Sequence, residues 1–208
     1  FQPLFEELKM HKNIRLGLTA WKFERWGSGW AWNDYDAPYM VDRSVLPIYG
    51  NLMTFYTSGD TLKSLPKASS IYYTHNPELD YNNEYRTFKS NKFIIERFLD
   101  DNKFYIKSAD KPFDKTIIPF RTDIRFLSQI LEDTLKTENI STFSSAEDIE
   151  SNIRKIIIHS QPTDSVLKPM MHRSDNFFAE QSLLMLSNKR LGIMNDEKII
   201  DTILKTDF

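Results

Sequence analysis

Ser174, Asp175 and Asn176 stand in a row between two stretches of helical spacing, inside Met170-Met-His-Arg-Ser-Asp-Asn-Phe-Phe-Ala-Glu180. Such a turn places a hydroxyl and a carboxamide at a helix amino terminus, where unpaired N–H groups and the helix dipole favour negative charge. The same three residue types are also the preferred N-caps, so a plain helix start accounts for them without any chemistry. A second serine, in Ser64-Leu-Pro-Lys67, has a lysine three residues on, the spacing that lets an amine deprotonate a hydroxyl when both share a helical face. Pro66 would fall at the third position of any helix begun by Ser64, which argues against that use. The four histidines, His11, His75, His159 and His172, show no pairing at ligand spacing, and the chain has no cysteine. No metal site, thiol nucleophile, disulfide or cofactor is expected. His159, at the end of an apolar run, reads as a packed or loop-bonded histidine. The acidic pairs in Glu78–Asp80 and Glu132-Asp133 fall in a turn and on a solvated helix face, so neither is given acid–base work. Trp21, Trp26, Trp30 and Trp32 could stack on sugars or peptide, but core and interdomain packing is the favoured reading.

The elements that must position these residues fall into three textures. Pro3 to His11 has the stripe of a helix, and Ile14 to Phe23 alternates as a strand. A cluster with glycines among tryptophans, Trp26 to Tyr35, follows as a structural corner. Short β-branched or aromatic runs come next: Ser44–Tyr49, Leu52–Tyr56, Ile71–Thr74, Phe93–Phe98, Lys103–Lys107 and Thr116–Phe120. Phe126, Ile130, Leu131 and Leu135 predict an amphipathic helix over roughly 123–136. Arg154 to Ile158 reads as another strand. After the loop at His159 to Pro162 the spacing predicts helices at Thr163–His172, Asn176–Leu186 and Asp196–Lys205, the last capped by Asn195. Strands on one side and helices on the other predict an α+β fold.

The whole sequence has 208 residues, 27 Lys+Arg against 29 Asp+Glu, a formal net charge of -2 and 40% hydrophobic residues. That balance gives no electrostatic footprint for nucleic acid or an anionic membrane. No apolar run approaches the length of a membrane-spanning helix.

The run from Ile156 to Glu180 resembles a stretch of the class C low-molecular-mass penicillin-binding proteins, the D-alanyl-D-alanine carboxypeptidase/endopeptidase family. The shared features are a strand, a loop with Ser160 and Pro162, a helix through Met170, then Ser174-Asp175-Asn176 and a helix with Ala179-Glu180. Thr163 departs from the usual leucine. Gly29-Trp30-Ala31-Trp32-Asn33-Asp34 with Tyr39 is similar to the family's Gly-Trp-x-Trp-Asp-Asp block, and Asn51 fits its asparagine after an apolar strand. The resemblance implies a mainly antiparallel β accessory module joined to a helical segment of a β-lactamase/transpeptidase-like catalytic domain. Residues 1–39 would carry the Trp-rich block of an accessory domain, 40–158 the β-rich insert closed by the helix at 123–136, and 159–208 the catalytic piece.

It implies further an active-site serine hydrolase assembled from S-x-x-K, S-x-N and K-T-G. The lysine deprotonates the nucleophile, backbone N–H groups hold the oxyanion, and the second serine relays a proton to the leaving amine. Ser174 matches the serine of S-x-N and Asn176 its asparagine, which would contact substrate backbone and help orient the lysine. In the family S-x-x-K precedes the Trp block and opens a helix, whereas Ser64 follows it. Lys205-Thr206-Asp207-Phe208 has Asp where K-T-G needs Gly to admit the substrate strand.

The expectation is therefore an internal excerpt, consistent with a start at Phe1, that is inert alone. Its parent would act on peptidoglycan stem peptides, bind β-lactams and lie in the periplasm or cell envelope. A non-catalytic wall-binding or protein-interaction module built on the aromatic cluster is the alternative. An excerpt would leave Phe177, Phe178, Leu183, Leu184 and Leu186 without the sheet they normally pack on, which predicts dimeric or swapped packing, or a mobile tail.

Overall fold

In a computed structural model, residues 2–17, 23–67, 71–73, 86–87, 91–143, 156–159 and 161–207 are described. The chain opens with helix α1 (Gln2–Lys9) and strand β1 (Ile14–Gly17), then runs irregularly through 3-10 turns at Trp32–Asp34 and Tyr49–Asn51. Strands β2 (Leu52–Ser58), β3 (Thr61–Leu65), β4 (Ile71–Tyr73), β5 (Arg86–Thr87), β6 (Phe93–Arg97), β7 (Phe104–Ser108) and β8 (Thr116–Pro119) follow. Helix α2 (Ile124–Leu135) and strand β9 (Ile140–Phe143) precede three helices, α3 (Thr163–Arg173), α4 (Asn176–Leu191) and α5 (Asp196–Thr206).

Period-two alternation builds the central part. Met53 and Phe55 of β2 point inward while Thr54 and Tyr56 do not, and Phe93, Ile95, Phe104 and Ile106 repeat the pattern on β6 and β7. An antiparallel sheet of order β5-β3-β2-β8 and a sheet of order β4-β7-β6 bury these side chains; in the second, β7 is antiparallel to β6 and parallel to β4. Phe126, Leu127, Ile130 and Leu131 of α2 complete the core. Phe55 meets Phe104 with centroids 5.0 Å apart, and Phe120 meets Phe126 at 5.2 Å. Each such buried side chain contributes about 2 kcal/mol of transfer free energy. At the edge of this core, β1 pairs in parallel with β9, joining distant parts of the chain, and Leu16 and Ile140 pack against it.

A buried cation sits at the edge of this interior. Arg97, at the end of β6, is 1% exposed, and its guanidinium donates to the carbonyls of Phe98, Leu99, Asp101 and Tyr35. The Tyr35 hydroxyl donates back to the Arg97 carbonyl at 2.8 Å, so the Trp-rich segment is tied to the end of β6. Burial lowers the Arg97 pKa to about 10, which still leaves the side chain charged at neutral pH.

Several expected elements differ. Ser44–Tyr49 is not a strand: the Leu46 N–H goes to Ser44 Oγ, and the Ile48 N–H goes to Asn51 Oδ1 ahead of a left-handed Tyr49, Gly50 and Asn51. Pro47 has no N–H to give a ladder. The strand expected over 14–23 is described only as Ile14–Gly17, since 18–22 lie outside the described residues. Ile156–His159 is irregular and exposed, so neither the expected strand end nor a packed His159 is found there; 154–155 lie outside the described residues. Strands β3, β5 and β9 had no sequence signal assigned to them.

The helical tail also needs correction. Phe177 is 6% exposed and Leu184 1%, buried within the single chain, where α5 packs along α4 and contributes Ile199 at 0%. Phe178, Leu183 and Leu186 are half-buried. The expectation that these residues lack partners therefore fails for Phe177 and Leu184, in a tail where α4 and α5 pack on each other.

Candidate functional site

Helix α3 ends because Ser174 turns left-handed (φ 51°, ψ 50°), its N–H reaching back to the carbonyls of Met170 and Met171. The Asp175 N–H follows to the Met170 carbonyl at 2.9 Å. Asp175 then caps α4, its Oδ1 accepting the Phe178 N–H at 3.2 Å. Capping therefore falls to the middle residue of the three. The Ser174 and Asn176 side chains are left exposed, with no hydrogen bond among the described residues, at a turn between two helices. A hydroxyl and a carboxamide thus stand exposed at one turn.

One turn further along α4, two side chains fasten the helix to the segment after the tryptophans. Glu180 Oε1 accepts the Trp30 Nε1–H at 2.7 Å, and Glu180 Oε2 accepts from Arg43 Nε at 2.9 Å. The second arm of Arg43, Nη2, donates to Asp196 at the start of α5. Gln181, 6% exposed, bonds both backbone groups of Ser44: it accepts the N–H at 3.0 Å and donates to the carbonyl at 2.8 Å. Gly27 backs onto this cluster, where a Cβ would lie 2.8 Å from Arg43 Nη2 and 2.9 Å from Glu180 Oε1. A side chain at this position would push the Arg43 and Glu180 ends apart.

The aromatic cluster is less buried than packing alone requires. Trp26 and Trp30 are half-buried, and the Arg25 guanidinium lies over the Trp26 ring at 4.1 Å. Trp30 stacks on Tyr39 with centroids 5.8 Å apart, and the Tyr39 hydroxyl donates to Asp34 at 2.5 Å. That hydrogen bond raises the Tyr39 pKa above the ordinary phenol value. Trp32 is 70% exposed, which corrects the core-packing expectation for it; Trp21 lies outside the described residues.

The other sequence candidates do not converge. Ser64 lies on β3, not on a helix, so it cannot share a helical face with Lys67. Thr206 ends α5, and Asp207 pairs with Arg190 at 2.9 Å, so Lys205-Thr206-Asp207 is a helix end and not an edge strand. His11 does have a carboxylate one turn away, Glu7 at 3.1 Å, on the exposed face of α1. His172 is exposed on α3, and His75 with Glu78–Asp80 lies outside the described residues. Glu132 and Asp133 ride the outer face of α2. Sequence reasoning missed Arg43, Ser44 and Gln181. Glu180 was visible only as the end of the Ala-Glu helix.

The profile of the D-Ala-D-Ala carboxypeptidase 3 (S13) family matches residues 8–199. The chain belongs to that family. Among solved structures, penicillin binding protein 4 (DacB) from Haemophilus influenzae matches with a TM-score of 0.63 at 16% identity, over 98% of this chain and 49% of that one. At that identity the likeness shows a shared fold, mixed helix and antiparallel sheet. The chain spans about half the length of that protein. No curated protein matches it. Among the described residues, no helix is long and apolar enough to cross a membrane.

Proposed function

We propose that this chain is part of a serine-type D-alanyl-D-alanine carboxypeptidase/endopeptidase that cuts peptidoglycan stem peptides through an acyl-enzyme, and that it contributes the S-x-N element. Ser174 would pass a proton to the leaving amine, and the Asn176 carboxamide would hold substrate backbone and orient the catalytic lysine. The observation that carries this reading is the exposed, unspent pair of side chains at the α3–α4 turn, with capping done by Asp175. Family membership supports it. The nucleophile with its lysine and the K-T-G strand would come from the parts of the family fold beyond these residues, so the 208-residue chain alone is inert. A substrate of this kind places the enzyme outside the cytoplasmic membrane, and β-lactams would acylate the same serine. Serine acyl transfer of this type needs no metal or cofactor.

Incubation with a fluorescent penicillin tests the reading. The 208-residue chain is expected to stay unlabelled. A complete enzyme containing it is expected to be labelled, and Asn176→Ala to slow that labelling on the order of a hundredfold, as for loss of one preorganised donor. Covalent labelling of the 208-residue chain would overturn the inertness, and full labelling of the Asn176 variant the role of the turn. The exposed Trp32 beside the Trp30–Tyr39 stack favours a second reading, a wall-binding surface without catalysis. That reading predicts binding to peptidoglycan by a complete protein that no penicillin labels.

A further inference from the structure

Asn176 and Glu180 are four residues apart on α4 and therefore share one face of the helix, a single turn from each other. At that turn the helix is held by a charged group that is almost fully buried: the Arg43 side chain is 3% exposed and forks between Glu180 and Asp196, each 21% exposed. Arg43 suits this role because its planar guanidinium donates in two fixed directions; a lysine has one ammonium and no fork. The Nε arm points at α4 and the Nη2 arm at the start of α5, so one side chain fixes the angle between two helices. Glu180 in turn uses both oxygens, one for Arg43 and one for the Trp30 indole. Gly27 leaves the space these groups occupy. If the cluster served only to glue the tail to the β part, an apolar contact would do it at no desolvation cost. Directional bonds that converge one turn below the Ser174–Asn176 turn do something apolar packing does not, which is to fix orientation.

We infer that Glu180 and Arg43 are positioning residues, a clamp that sets where the Ser174–Asn176 turn points relative to the Trp30 segment. This rests on the reading of that turn as the S-x-N element. The clamp acts through α4: releasing Glu180 lets the first turn of the helix pivot on the buried Phe177, with Gln181 and Ser44 as a remaining polar tie.

Two variants test it, Glu180→Gln, which keeps an acceptor for Trp30 but removes the charge facing Arg43, and Arg43→Lys, which keeps the charge but loses the fork. The first readout is the 1H–15N spectrum of the 208-residue protein, which does not depend on activity. In both variants the amides of Ser174, Asp175 and Asn176 and the Trp30 indole N–H are expected to shift, while the amides of Phe55 and Phe104 stay in place and report an intact core. The second readout is acylation of a complete enzyme by a fluorescent penicillin, expected to fall roughly tenfold or more because a small misplacement of a reacting group is costly. The thermal midpoint is expected to move by a few degrees at most. Turn amides that remain at their wild-type positions, with acylation as fast as wild type, would overturn the clamp. A wild-type enzyme that no penicillin labels would count against the functional reading instead, and the turn amides would then decide the clamp by themselves.

Discussion

Asp42 is 1% exposed beside the Arg43 clamp, with Oδ2 2.8 Å from Arg25 Nε and with Oδ1 lacking a hydrogen-bond partner among the described residues. Burial raises its pKa above the ordinary carboxylate value of 3.8, outweighing the attraction of Arg25, Arg97 and Arg121. A carboxyl whose folded pKa is raised binds its proton more tightly when folded. Its contribution to stability is therefore greatest at low pH and falls as pH rises from the unfolded value through the raised folded one. Most paired carboxylates do the reverse; Asp207, held down by Arg190, is one here. Urea midpoints measured at several pH values for the wild type and Asp42→Asn isolate the effect. The stability of wild type relative to the variant is expected to decline from pH 4 upward and then level off. A difference that grows with pH would mean that Arg25 governs Asp42 and that burial does not.

At the scale of elements, helix α2 shows how far local chemistry reaches. Apolar spacing placed it over roughly 123–136, and it runs from Ile124 to Leu135, with Asp123 as the N-cap and Lys136 left-handed at the other end. Asp123 Oδ1 accepts the Phe126 N–H at 2.9 Å, and Oδ2 accepts from the buried Asn102 at 2.9 Å. Asp123→Ala is expected to lower unfolding free energy by about 2 kcal/mol, from the lost cap and the lost Asn102 bond together. Asp123→Asn should keep the cap but lose the Asn102 bond, because its amide nitrogen cannot accept, and so cost about half as much; a urea melt with unchanged slope would register both. The helices of the tail were legible for the same reason, since caps and stripes are local. Strand β9 was not, because its strand partner among the described residues is β1, paired from Ile14↔Ile140 to Gly17↔Phe143, and no short-range pattern announces that pairing. Strand β3 was hidden by Lys63 and Ser64, which broke the apolar run although Leu62 is buried in the core. The site divides in the same way. Ser174-Asp175-Asn176 could be read as a turn from its residue types, whereas the bond from Arg43 to Glu180 crosses 137 positions and left no mark in either neighbourhood.

The whole molecule has two regions of unequal cohesion. The β part and α2 share one apolar core, in which Met53, Phe55, Phe104 and Ile106 are each 0% exposed. The tail has less to hold it. Helix α3 buries no residue and carries Pro169 in its interior, α5 buries only Ile199, and α4 is fixed by Phe177, Leu184 and the polar clamp. Opening free energy follows buried apolar contact, so amide exchange in dilute solution should separate into tiers. Amides of β2, β6, β7 and α2 are expected to exchange only with global unfolding, those of α4 around Leu184 sooner, and those of α3 fastest among the helices. A tail loosely held by its own packing is what a segment requires if a further sheet is to close over it, as the functional reading supposes. Exchange in α3 as slow as in α2, with the protein monomeric, would show that the tail is already closed and would remove that physical basis.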